Sequence, residues 1–207
     1  MKNQVSTVRT SFSPTFLSII RENHSLLSRL DQQRKMIEGK PSGKGSTARL
    51  VLLEDKVARA ELIVIVFSAM AIESYIYDYA ARHLGDAFVK DHLERMDPLS
   101  KWILIPRLVT GRELPHRTHW QTPLASLIKV RNSIVHYKSS DPSAWVQDAG
   151  KFLKKLNAES DRIHETARQS IPLLQILADK IIEMDPEETP WVKSYLIQSV
   201  HIHPEEQ

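Results

Sequence analysis

Apolar residues recur along most of this chain at every third or fourth position, the spacing that lines one face of an α-helix. Ser13-Pro14 supplies a cap followed by a residue whose fixed φ suits a first helical turn. Phe16, Leu17, Ile20, Leu27 and Leu30 then keep helical spacing toward Ile37, which predicts a helix over about 14–38. The stretch GKPSGKGS, Gly39 to Ser46, reads as a flexible linker. It is not a phosphate loop: Gly39 lies four residues before Gly43, Lys44 is followed by Gly45, and no apolar strand precedes it.

Ser46 or Thr47 caps the next segment, which runs without Pro or Gly to Gly85 and is apolar nearly all round at its centre. Such a helix belongs in the middle of a bundle. Asp97-Pro98 opens a further helix, kinked or ended near Pro106, and GRELPHRTHWQ, Gly111 to Gln121, reads as a loop. Thr122-Pro123 starts a helix to about Lys138, broken by SSDP. Helical spacing resumes after Pro142, with an interruption near Gly150 and a bend at Pro172, and reaches Met184. The Pro- and acid-rich tail from Asp185 holds one amphipathic stretch, Trp191 to Ile197. The expectation is an all-α, single-domain helical bundle over 1–184, with a long central helix and a C-terminal acidic tail over 185–207.

Composition narrows the classes. The 207 residues are 42% hydrophobic and 26% charged, enough apolar content for a buried core. The absence of Cys removes disulfide scaffolds, thiolate metal sites and a Cys nucleophile. The opening MKNQVSTVRTSFSP has no apolar signal-peptide core, and the strongest apolar run, Leu62 to Ile72, is shorter than the roughly 20 residues a bilayer demands. A soluble, cytoplasmic protein without a membrane partner is therefore expected. Net charge is only +3, but seven basic residues face the single acid Glu113 between Lys101 and Lys138. This stretch, which also holds His116, His119 and His136, suits a polyanion such as a nucleic-acid backbone.

Polar residues that interrupt an apolar stripe carry the most information. In the helix after Pro123 the stripe runs Leu124, Leu127, Ile128, Ile134, Val135, and the position joining its halves is Arg131. A guanidinium at the edge of a buried face needs a carboxylate or an anionic ligand. Asn132 and His136 share a face one turn apart, within reach of Arg131. In the central helix Glu73 interrupts Phe67, Ala69, Met70, Ile76, Tyr77 and Ala80, and Asp78 lies between two tyrosines. Glu73 or Asp78 is the natural counter-charge for Arg131, and a pair that merely fixes helix register is the plainer reading.

At RNSIVH, Arg131 to His136, followed by Tyr137, the chain resembles the HEPN superfamily, the higher eukaryote and prokaryote nucleotide-binding domains. The hallmark there is Arg, four to six residues, then His, commonly with a polar residue after the Arg. The resemblance covers about 47–184. It implies a metal-independent endoribonuclease acting on RNA, without cofactor, as a homodimer whose two motifs form one composite active site. It further implies His136 as general acid or base, Arg131 as phosphate clamp and Asn132 as orienting group. Glu73, Asp78 and Tyr137 would support them, and Lys129, Lys138, Arg117 and Arg112 would hold the RNA backbone. A histidine ordinarily titrates near neutrality and suits proton transfer, while an arginine holds phosphate oxygens without losing its charge. Toxin or phage-defence roles, with an antitoxin or regulatory protein as partner, belong to the same implication. One toxin branch carries a modified Tyr two residues after the His. Lys138 occupies that place here, so the modification is not carried over.

The alternative is a non-catalytic, HEPN-like nucleotide- or RNA-binding and dimerisation module. A third reading is a helical protein whose basic face meets an acidic partner. His201, His203, Glu205 and Glu206 read as a weak surface chelator, and Trp120 as a base-stacking candidate, whereas Trp102 and Trp145 suit a core. A Ser–His–Asp hydrolase lacks its strand–turn–helix context.

Overall fold

A computed structural model describes residues 13–39, 44–112, 119–136 and 149–188, and among these there is no strand. Helix α1 spans Ser13–Glu38 and α2 spans Lys44–Leu84. A short α3, Asp86–Phe88, continues into a π-helical turn, Val89–Leu93. Helices α4, Pro98–Thr110, α5, Gln121–Val135, and α6, Ala149–Met184, complete the described elements. The all-α bundle built around one long central helix is thus the observed architecture.

Local chemistry sets the boundaries. Gly85 stops α2 at φ 89°, a left-handed conformation that a Cβ would disfavour. Asp97 caps α4, its carboxylate accepting the Ser100 N–H at 3.0 Å, and Pro98 fills the first position. The helix does not end at Pro106. It continues to Gly111 at φ 71°, whose N–H donates to the Arg107 carbonyl at 2.9 Å. Helix α6 begins at Ala149, beside Gly150, and runs unbroken through Pro172. A single proline removes one backbone hydrogen bond, and packing on both sides holds the helix together. Helix α5 stops earlier than expected, its last turn closed by the His136 N–H on the Asn132 carbonyl at 3.0 Å.

Helix α2 is the common support, packed against α1, α4, α5 and α6. Phe16 of α1 meets Phe67 with ring centroids 5.8 Å apart, and Arg34 reaches Glu54 at 3.2 Å, so α1 runs antiparallel to α2. Glu61 pairs with His164, and Tyr79 with Asp185, so α6 runs in the same direction as α2. Val64, Ile65, Ile72, Ile76, Tyr79 and Ala80 are fully buried along α2. Each large apolar side chain so buried contributes about 1.5–3 kcal/mol from removal of its surface from water.

By length and composition α2 is apolar enough to cross a bilayer, a wider apolar window than the run Leu62 to Ile72, broken only by Ser68, suggests. Over half of that window is buried inside the bundle. The four helices packed around it account for its composition.

Candidate active site at the end of α5

The buried face of α5 is centred on Leu124, Leu127 and Val130, with Trp120 fully buried just ahead of the helix. This corrects the stripe read from sequence: Val130 lies inside, whereas Val135 is 55% exposed. It also corrects Trp120, which packs in the core and presents no face for stacking a base; Trp102 is buried as expected, and Trp145 lies outside the described residues.

With Val130 inward, one residue's rotation of about 100° carries Arg131 to the rim of the buried face. Its guanidinium donates through one terminal nitrogen to Glu73 Oε1 of α2 and through the other to Asn132 Oδ1 at 3.0 Å. The Arg131 side chain is 21% exposed and that of Glu73 32%, so the pair spans the boundary between core and solvent. Two anchors fix the plane of the guanidinium, and an arginine retains further N–H donors for an anion.

Asn132 and His136 are both exposed. His136 terminates α5 with φ −105° and ψ 29°, its backbone N–H closing the last turn. Arg131, Asn132 and His136 thus occupy the last turn and terminus of one helix, one partly sunk into the fold and two open to solvent.

The remaining expectations divide. Of the two acids named as counter-charge, Glu73 meets Arg131, while Asp78 lies further along α2 in the electrostatic field of Arg82. Lys129 and Arg112 are exposed, as an RNA-binding role demands, and so is His119. Tyr137, Lys138, Arg117 and His116 lie outside the described residues, as do His201, His203, Glu205, Glu206 and the stretch Trp191 to Ile197.

Two polar clusters are not read from sequence. Glu61, 6% exposed, pairs with His164 Nδ1. Their neighbours His24, Ser28, Asp31 and Arg168 line a cavity of about 180 Å³ between α1, α2 and α6. Arg168 donates to Asp31 at 2.7 Å there. Burial pushes the Glu61 carboxyl above its ordinary range, opposed by the hydrogen bond to His164, and burial lowers the pKa of His24. The second cluster fastens the turn after α6 to the end of α2. Arg82 forks onto Glu188 at 2.9 and 2.7 Å, and Tyr79 donates to Asp185 at 3.0 Å. Burial, then the hydrogen bond to Asp185, raises the Tyr79 hydroxyl well above its ordinary pKa. Glu61 carries a signal, since it sits at helical spacing between Val57 and Val64, both buried; its partner, 103 residues away, carries none.

Compared with known proteins, the chain matches no family model, no curated protein and no solved structure.

Proposed function

We propose that this protein is a metal-independent endoribonuclease of the HEPN type, with Arg131, Asn132 and His136 as its working groups. The observation that carries the reading is the Arg131 guanidinium, held at the rim of the core by Glu73 and Asn132 beside an exposed His136 on the same helix end. A clamp for a phosphorane must be oriented before substrate arrives, because the gain from fixed charges comes from avoiding reorganisation in the transition state.

In the reaction a base removes the proton of a ribose 2′-hydroxyl, and the 2′-oxygen attacks the adjacent phosphorus. The P–O5′ bond breaks, and an acid protonates the departing 5′-oxygen. The products are a 2′,3′-cyclic phosphate and a 5′-hydroxyl. His136 performs one proton transfer, and His136 of a second copy performs the other, which makes the working unit a homodimer. Arg131 neutralises the non-bridging oxygens, Asn132 orients the scissile phosphate, and Lys129 and Arg112 hold flanking phosphates. Tyr137, Arg117 and Lys138 extend this assignment along the chain. Growth arrest, in toxin–antitoxin or phage-defence service with a neighbouring regulatory protein, is the biological role this activity fits.

Labelled RNA incubated with the purified protein in EDTA tests the reading. Cleavage to 2′,3′-cyclic ends that disappears in His136→Ala supports it; RNA left intact by the wild type refutes it. Toxicity on overexpression, relieved by His136→Ala, would agree.

A second reading, a non-catalytic RNA- or nucleotide-binding module, draws on the same ion pair, since a guanidinium bonded to a carboxylate can serve helix register alone. Under that reading RNA binds at low salt and is never cut, and His136→Ala changes neither result.

A further inference from the structure

Where α2 ends, an aromatic ladder passes from Trp102 through Tyr75 and Tyr79 to His83. Tyr75 stacks on Trp102 at 6.0 Å and on Tyr79 at 6.2 Å, and the His83 ring lies 4.6 Å from Tyr79. The ladder holds the imidazole against the chain segment that leaves α6. His83 Nε2 stands 3.6 Å from Asp185 Oδ2 and 3.7 Å from Glu188 Oε2, and one donor atom from each of the three residues lies within 4.8 Å of the others.

These separations exceed a direct hydrogen bond, which closes near 2.9 Å. Two ligands on one tetrahedral zinc, each about 2.0–2.2 Å from the metal, stand about 3.3–3.6 Å apart. The carboxylates of Asp185 and Glu188, side by side at the imidazole, supply the negative charge that a divalent cation requires.

From this we infer that His83, Asp185 and Glu188 bind a first-row divalent cation, with zinc the best match to one imidazole nitrogen and two carboxylate oxygens. The supporting groups are in place. Tyr79 donates to Asp185 Oδ2, and the Arg82 fork holds both oxygens of Glu188. Each carboxylate oxygen keeps a second lone pair for the ion. Such outer partners orient ligands and set affinity in metal sites. Glu188 is 5% exposed at its side chain and His83 35%, which leaves a path for the ion past the imidazole. Water takes the fourth position. The site is structural, stapling the turn after α6 onto α2. It is independent of the ribonuclease reading, because Glu73 precedes His83 by ten residues, about 15 Å along the helix.

The test is calorimetric titration of the EDTA-dialysed, tag-free full chain with Zn²⁺. A His201→Ala/His203→Ala background removes the histidines of the tail. One equivalent is expected to bind, at least tenfold more weakly in His83→Ala and in Asp185→Asn, with a zinc-dependent rise in Tm that both variants lose. His83→Ala retains the Arg82–Glu188 and Tyr79–Asp185 bonds, and its far-ultraviolet dichroism should match the parent; Asp185→Asn decides the matter if it does not. Absence of one-equivalent binding in the parent, or binding undiminished in the folded variants, overturns the inference.

Discussion

The Arg131–Glu73 pair can be measured by a double-mutant cycle built from Arg131→Met and Glu73→Gln. Breaking a fully buried ion pair costs about 3–5 kcal/mol, and an exposed pair contributes about 0–1 kcal/mol. With side chains 21% and 32% exposed, this pair falls between those limits, and a coupling energy of about 1–2 kcal/mol is expected from urea denaturation of the four proteins. For a chain of this size each kcal/mol moves Tm by roughly 2–4 °C, so a loss of that size in Glu73→Gln should lower Tm by about 2–8 °C. RNA cleavage separates orientation from register. On the proposed ribonuclease reading, Arg131→Met should abolish cleavage. Glu73→Gln keeps the arginine but loosens its plane, and should lower kcat about tenfold or more while folding intact. Stability effects that add to within about 0.3 kcal/mol would show no interaction between the two side chains and refute the argument. Unchanged cleavage in Glu73→Gln would refute the orienting role alone.

Other expectations follow from the packing and from two shifted groups. Trp102 is fully buried against Tyr75, so Trp102→Ala should cost about 3–5 kcal/mol in urea denaturation, and a cost below 1 kcal/mol would contradict the described core. Loss of the α4 cap in Asp97→Ala should cost about 1 kcal/mol at neutral pH. Hydrogen bonds from Ser100 hold the Asp97 carboxyl below its ordinary 3.8, so this contribution is complete above that value and disappears as pH falls through the lowered one. His24 behaves alike for a different reason: burial lowers its pKa from 6.5, so its stabilising effect is complete above 6.5 and is lost as pH falls toward the folded value. His24→Gln should therefore lose less stability than wild type between pH 7.5 and 5.5, and equal losses would exclude His24 as the titrating group.

What the sequence disclosed was governed by range. Helix ends depend on neighbours within four residues, so Ser13-Pro14, Gly85, Asp97-Pro98 and Gly111 marked boundaries that the fold keeps. Arg131 and Glu73 were legible together because each interrupts an apolar stripe, and two interruptions of opposite charge suggest each other. The facing of α5 was read less well: Val130 and Val135 are alike in chemistry, and only the surrounding helices decide which is covered. Pairs such as Glu61–His164 and Arg82–Glu188 join residues more than 100 positions apart. Glu61 interrupts a buried stripe, but no local pattern announces which distant residue meets it, and His164, Arg82 and Glu188 each resemble an ordinary surface charge.

Glu61, Glu73 and His83 stand along one continuous helix, and each meets a partner that belongs to a different stretch of chain. Adding or deleting one residue between Glu61 and Glu73 would turn everything downstream by about 100°, enough to aim Glu73 away from Arg131 while Glu61 still reached His164. The rod behaves like a key whose teeth are cut to a common phase: its length between teeth cannot change without unfastening one lock or another.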